Sequence, residues 1–395
     1  MGGNARHIKQ ITRDLEKELQ KQILPDGGHI SRDPATTVNL ICDLLPLRQC
    51  YIGSEHGSPP ALTSAIDSMM SFIRMMRHSD GHLGQFNGTG HIPASLMATI
   101  LRYDTSRTTE NPAPQQSAPQ TGYERLSAAD TVVLIDTGKP FGRTTARLAM
   151  AGTLSFELSC SQSRFVINCG IPESQRASYL PFCRTTAAHS TATIGNSSSS
   201  RFISESAFQS FLPSSLISSP ENIEIKRTQQ DGMEIFSASH DGYAARFGLI
   251  HHRELQLSRN GTVLNGIDRF TKSSPASHSS APVPVSVRFH IPAGSRTNLL
   301  ASGNSVLITG NKQETWTFTC IDSPLILEES IQFFSPGIPR KTSQIVLNTD
   351  SRSVSEIRWV LEKRVLTADN GKAGKGKKNP DKQLDLLREK DGTDS

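Results

Sequence analysis

Hydrophobic positions fall into two rhythms along the chain. Ile8, Ile11, Leu15, Leu19 and Ile23 recur every three or four residues, the spacing of one helix face. "PDGG" stops that helix, and "SRDPATTVNLICDLLPLRQCYI" starts a second, with Asp33 as N-cap and Pro34 at the first helical position. Pro46 is expected to bend or split it. "SPPALTSAIDSMMSFIRMMRH" reads as a third helix capped at Ser58, and "HIPASLMATILRYD" as a shorter fourth. The methionines Met69, Met70, Met75 and Met76 suit core filling better than a functional surface.

After residue 104 the rhythm changes. "DTSRTTENPAPQQSAPQT" is a Pro- and Gln-rich connector. Beyond it run short stretches such as "DTVVLID", "GTLSFELS", "RFVINCG", "MEIFSAS", "GTVLNGIDRF", "TWTFTC" and "SEIRWVLEKRV", separated by Gly, Ser, Asn and Pro. Strands at such short spacing predict a large antiparallel β-sandwich, with Trp316, Phe318 and Cys320 on one face of theirs. The expected fold is α+β in two domains: helices at 1–104, a linker at 105–121, a sandwich at 122–368 and a disordered charged tail at 369–395. The cleft between the domains is the default place for a ligand.

Composition changes this picture little. At 35% hydrophobic and 20% charged residues, the chain can build a core. No apolar run is long enough to cross a membrane, and the polar, helical N-terminus carries no apolar leader segment. The formal charge is +5, of which the tail from Asp369 holds seven Lys/Arg against six Asp/Glu. The surplus is thus spread over the body and suits an acidic polymer. "GKAGKGKK" lacks interleaved aromatics, so nucleic acid is not the expected partner. The six cysteines form no CxxC pair, which favours free thiols. Cys160 and Cys169 lie on neighbouring predicted strands, where register decides whether they meet.

Three segments together resemble the heparinase II/III family of polysaccharide lyases: "ILPDGGHISRDP", "GTLSFELSCSQSRFVINCG" and "RTTAAHSTATIGN". The resemblance covers residues from about 5 to about 365. It implies part of an α/α toroid followed by the family's sandwich, with further toroid helices upstream. It implies β-elimination on a uronic-acid polysaccharide: a base takes the C5 proton while the neighbouring carboxylate is neutralised. A periplasmic or envelope location is implied as well. The family's groups for this work are Asn or His from the toroid, a Tyr acid/base and a sandwich His. Here Thr36 stands at the Tyr position. Many members also hold zinc through a His-x-His pair, an Asp and a third His. Leu148 and Met150 stand for the pair and Asn168 for the Asp, and His189 alone is kept. No cofactor is therefore expected, and a zinc would have only His189 and Asn168. The rival expectations are a non-catalytic carbohydrate-binding or envelope-polymer-associated protein, or a fragment of a longer lyase.

The remaining candidates come from polar clusters. His189, His29 and His78 are the candidate catalytic residues. Arg32 can grip a sugar carboxylate bidentately. "RHSDGHLGQFNG" packs His78, Asp80 and Asn87 between glycines that permit close approach. His78 and His82 have a metal-like spacing, but Gly81 argues against helix there. Tyr243 and Arg246 are the remaining substrate-binding candidates. His251 and His252 fall on opposite sides of a strand. Ser190 lacks a nucleophile elbow. Oligomeric state is not legible.

Overall fold

In a computed structural model of the chain, residues 5–54, 57–104, 114–139, 149–172, 176–203, 216–274, 282–333, 339–352 and 355–364 are described. The expected tail at 369–395 lies outside the described residues, as does Leu148. Four helices come first: α1 (Ala5–Gln22), α2 (Pro34–Ile52), α3 (Pro60–Met75) and α4 (Ala94–Arg102). The Asp33 side chain accepts the Ala35 N–H at 2.9 Å, and Pro34 opens α2. α2 runs through Pro46 as one helix, without the split expected there. Nor does Ser58 cap α3: Pro59 holds that place, and the Ser58 hydroxyl meets Thr63 Oγ1 at 3.1 Å. Gly27 (φ 86°) makes the turn after α1, where an added Cβ would sit 2.0 Å from the Ser68 carbonyl oxygen of α3.

The strands are β1 (Ser117–Ala118), β2 (Tyr123–Ala128), β3 (Thr131–Asp136), β4 (Phe156–Cys160), β5 (Ser163–Val166), β6 (Ala192–Ile194), β7 (Arg201–Phe202) and β8 (Leu216–Ser218). They continue as β9 (Ile223–Gln230), β10 (Met233–His240), β11 (Leu249–Ser258), β12 (Val263–Lys272), β13 (Pro284–His290) and β14 (Arg296–Leu299). Last come β15 (Ser305–Thr309), β16 (Thr315–Cys320), β17 (Leu325–Gln332), β18 (Arg340–Asp350) and β19 (Glu356–Arg364). Two further helical pieces, α5 (Arg176–Cys183) and α6 (Ala244–Phe247), sit between strands. The main sheets run β1-β2-β3-β4-β5, β14-β15-β16-β19-β12-β11-β10-β9 and β17-β18-β13-β6, with antiparallel pairing throughout. An isolated Ile167–His290 bridge joins the five-stranded sheet to the four-stranded one.

The sandwich core lies between the eight-stranded sheet and the other two. Phe156 and Phe318 stack on Trp359, at ring separations of 5.6 and 5.8 Å. β3 explains its own apolar run, because both of its faces are buried. Val133 and Ile135 join the sandwich core. Val132 and Leu134 join a second core with the helices, through Ile66, Met69, Phe72, Met76 and Phe86. The methionines of α3 are thus core filler.

One further sequence expectation is corrected here. Gln116–Thr121 does not behave as a free linker: β1 pairs with β2, and the Asp26 carboxylate accepts the Thr121 N–H at 2.7 Å. Residues 105–113 of that segment lie outside the described residues. His189 follows a 3-10 turn at Thr186–Ala188. Small residues with paired hydroxyls served a turn rather than a ladder.

Gly266 marks the tightest packing in the sandwich, since a Cβ there would lie 2.0 Å from Trp359 Cζ2. Gly266→Val is expected to destabilise the protein by about 3 kcal/mol, because the stacked rings have nowhere to move. A drop in the urea midpoint at unchanged slope checks this; an unchanged midpoint contradicts it.

Candidate functional site

The sequence candidates divide among separate places, and buried carboxylates hold three of them, His78, Arg32 and Asn87. β3 and β4 pair so that Leu134 stands opposite Glu157. Phe156 and Leu158 then face the sandwich core, while Glu157 and Ser159 face the helical layer. Glu157 is fully buried. His78 Nε2 lies 2.9 Å from Glu157 Oε2, and Nδ1 lies 2.8 Å from the Ser159 hydroxyl. The Gln85 N–H donates to the same carboxylate at 3.1 Å. Its other oxygen accepts Asn168 N–H at 3.1 Å and Nδ2 at 3.3 Å. Burial, then the nearby Arg164 charge, lowers the His78 pKa. Burial opposes ionisation of Glu157, but its bond to His78 and the Arg164 charge outweigh that and hold its pKa down. The pair is therefore a neutral imidazole donating to a carboxylate. Asp80, held below the usual carboxylate range by His82 and Arg164 against the opposing effect of burial, accepts Arg164 Nε at 2.9 Å.

The network continues toward His189. Asn168 Oδ1 accepts the Ser190 N–H at 3.0 Å. The Ser190 hydroxyl donates to the Ile167 carbonyl at 2.6 Å and accepts the His290 N–H at 2.9 Å. His189 is only 5% exposed, and its Nδ1 donates to the Thr185 carbonyl at 2.8 Å. Nε2 is then the unprotonated ring nitrogen, beside Gly152. Burial lowers the His189 pKa.

Arg32 and Asn87 meet at a second buried carboxylate. Arg32 has a left-handed backbone (φ 62°) and pairs with Asp136. Its Nε also donates to the Thr121 carbonyl at 2.7 Å. Asn87 Nδ2 donates to Asp136 at 2.9 Å and to the Tyr123 hydroxyl at 2.7 Å, which in turn donates to the Arg32 carbonyl at 2.5 Å. Burial pushes the Tyr123 hydroxyl above its ordinary value. Burial opposes the Arg32 charge, but Asp136 more than offsets it. The guanidinium thus clamps the helical layer to β3 and is not presented to a ligand.

The other candidates stand apart. His29 is half-buried near α1, with Nδ1 2.8 Å from the Ser31 hydroxyl. Burial lowers its pKa. Tyr243 is fully buried, and its hydroxyl donates to the Ala192 carbonyl at 2.8 Å. Arg246 is exposed and donates to the Ser198 carbonyl. Thr36 donates to Asp33 at 3.1 Å.

A zinc does not fit the donors present. Met150 is packed with Ile171, Cys183 and Phe333, and both Asn168 amide atoms are already bonded. Among the described residues no group of three His, Cys, Asp or Glu side chains converges. All six cysteines are free, so Cys160 and Cys169 do not bridge.

Sequence reasoning missed the carboxylates that organise these networks. Glu157 sits in "LSFEL" and Asp136 ends "VVLID", both read as plain strands. An acidic residue inside an otherwise buried strand was the available signal. A third network went unread as well. Asp268 accepts Arg253 Nε at 2.9 Å, His251 Nε2 at 2.7 Å and Trp359 Nε1 at 2.9 Å. Arg253 Nη1 reaches the Leu154 and Ser190 carbonyls, each at 2.8 Å. His251 points into the core, and His252 lies on the outer face.

Removing Glu157 leaves His78, Asn168 and the Gln85 N–H buried without their acceptor. Glu157→Ala is expected to cost about 3–5 kcal/mol by chemical denaturation; a loss below about 1 kcal/mol contradicts the network's role. Acid acts through the histidines. Burial pushes His290 down to about 3 from 6.5. Between those values the unfolded chain binds the proton and the folded one does not, so stability falls as pH drops below about 6.5. The melting temperature is expected to decline from pH 7 to pH 5, with a shallower slope in His290→Gln; equal slopes exclude His290 as a source.

The Heparinase II/III-like, C-terminal family model matches residues 110–360. FtsZ-localized protein C of Caulobacter vibrioides (strain NA1000 / CB15N) is 30% identical over 363 residues, covering 90% of this chain and 61% of that protein. The fold is similar to that of heparan sulfate lyase HepC from Pedobacter heparinus, with a TM-score of 0.65 at 14% identity over 88% of this chain and 55% of that one. It is also similar to a crystal structure of heparinase III, with a TM-score of 0.68 at 13% identity over 91% of this chain and 58% of that one. The chain thus spans little more than half the length of the proteins it matches. With its helical layer, its sandwich and a family match over most of the strands, the chain belongs to the heparinase II/III-like family.

Proposed function

We propose that this chain is a non-catalytic heparinase II/III-fold module that binds rather than cleaves, and that it works where FtsZ assembles. One observation carries the first part. The polar groups around Glu157 and His189 are spent on structure: Asn168 on Glu157 and Ser190, His78 on Glu157, and His189 Nδ1 on Thr185. β-Elimination needs a base and an acid within reach of the sugar, with a group to neutralise the carboxylate. Among the sequence candidates, Arg32 and Tyr243 are buried and bonded internally. The relative named for its FtsZ localisation, 30% identical along 90% of this chain, supports the second part. The spread positive surplus supports contact with an acidic polysaccharide.

A lyase reading is the rival, favoured by the fold match to heparinase III and by His189 Nε2, which keeps a basic lone pair. An absorbance assay separates the two. Cleavage makes an unsaturated uronate that absorbs in the near ultraviolet. Heparin, chondroitin, alginate and capsule polymers are expected to give no rise, together with binding that weakens as salt is added. A rise that His189→Ala abolishes sinks the non-catalytic reading. For the location, a fluorescent fusion is expected to gather with FtsZ and disperse on FtsZ depletion; a fusion indifferent to FtsZ overturns that part.

A further inference from the structure

The outer face of the eight-stranded sheet carries a groove of about 350 Å³, on the side of the sandwich away from Glu157 and its partners. Strand register explains its shape. At the groove the outward residues of β10 are Ser237 and Ser239, which are short. Ser239 stands between Glu224 of β9 and His252 of β11; Ser237 stands between Lys226 and Glu254. Long side chains thus form two walls over a floor of serines. With strands ~4.8 Å apart, the wall backbones stand about 10 Å from each other. On β12, Arg269 is opposite His252 and Ile267 is opposite Glu254.

Both signs of charge line the groove. Two carboxylates, Glu224 and Glu254, face two cations, Lys226 and Arg269. Burial, then Arg269, lowers the His252 pKa, so the imidazole adds no charge at neutral pH. Arg269 is held by Glu356, with Nε 2.6 Å from Oε2, and Glu254 accepts Gln256 Nε2 at 2.5 Å. The side chains of Glu224 and Lys226 make no hydrogen bond or ion pair among the described residues. The groove therefore offers an acceptor and a donor side by side on one wall, a second acceptor opposite, and an apolar contact at Ile267.

We propose that this groove binds a neutral, hydroxyl-rich sugar. Each hydroxyl both donates and accepts, so it satisfies a carboxylate and an ammonium at once. The C–H face of the ring rests on Ile267. The volume lies at the small end of the ~300–1,000 Å³ range of ligand sites, with room for about one or two rings. Arg269 is already paired with Glu356, so two carboxylates stand beside one unpaired ammonium, and the groove disfavours a uronate. This assignment does not depend on whether the chain cleaves polysaccharide. An ultraviolet rise would overturn the preceding reading and leave this one intact.

The test uses the full chain, with calorimetry and saturation-transfer NMR against chitobiose, cellobiose and, as the acidic probe, digalacturonate. At least one neutral disaccharide is expected to bind in the millimolar range with little salt dependence, and digalacturonate about tenfold more weakly. Ser237→Trp fills the trough, and Glu254→Gln removes an acceptor while keeping the shape. Each is expected to weaken binding by about tenfold, with the circular dichroism spectrum unchanged for Glu254→Gln. No binding of either neutral disaccharide at tens of millimolar overturns the proposal. So does binding that Glu254→Gln leaves intact, or tighter binding of digalacturonate.

Discussion

Two carboxylates on neighbouring strands hold the helices onto the sandwich. Asp136 ends β3 and Glu157 lies within β4, both directed at the helical layer. Asp136 takes Arg32 and Asn87; Glu157 takes His78 and the Gln85 N–H. Burying a charge is costly unless its partners are close and complete in number. That requirement fixes where the segment from Arg77 to Asn87 can run. Arg125 extends the same logic, donating to the Met75 and Arg77 carbonyls, each at 2.8 Å, at the end of α3. The apolar contacts among Val132, Leu134 and the α3 methionines supply the area, and the carboxylates supply the register.

The third network does a comparable task inside the sandwich. Asp268 and Arg253 are fully buried, and Arg253 reaches the carbonyls of Leu154 and Ser190 on the facing layer. The backbone around Ser190 is thereby tied to both layers and, through Asn168, to Glu157. His189 sits beside this tie. A histidine so placed has little freedom to follow a substrate, which suits a scaffold better than a lyase. The serine-floored groove on β10 lies on the opposite face of strands whose inward side chains, His251, Arg253 and Asp268, build the third network.

Much of the architecture is legible in the sequence. The 3.6-residue rhythm of α1 and α3 and the short strands after residue 120 gave the two kinds of element. Asp33-Pro34 gave a helix start whose cap is seen at Ala35. Less legible were β1, β2 and the turn at His189, because short elements take their state from their neighbours more than from propensity. The site was less legible still. Arg32, Asn87 and His78 looked like ligand groups because glycines and polar residues surround them in sequence. Their partners, Asp136 and Glu157, lie 104, 49 and 79 residues away, and only pairing in space turns them into structural pairs.

The sequence by itself determined the elements, their order and the family, since periodicity, caps and short motifs are local properties of the chain. Tertiary structure alone decided which polar side chains are spent and which remain available. That choice depends on burial and on partners far away in the chain. A carboxylate in a strand carries no mark of whether it will meet an imidazole, a guanidinium or water.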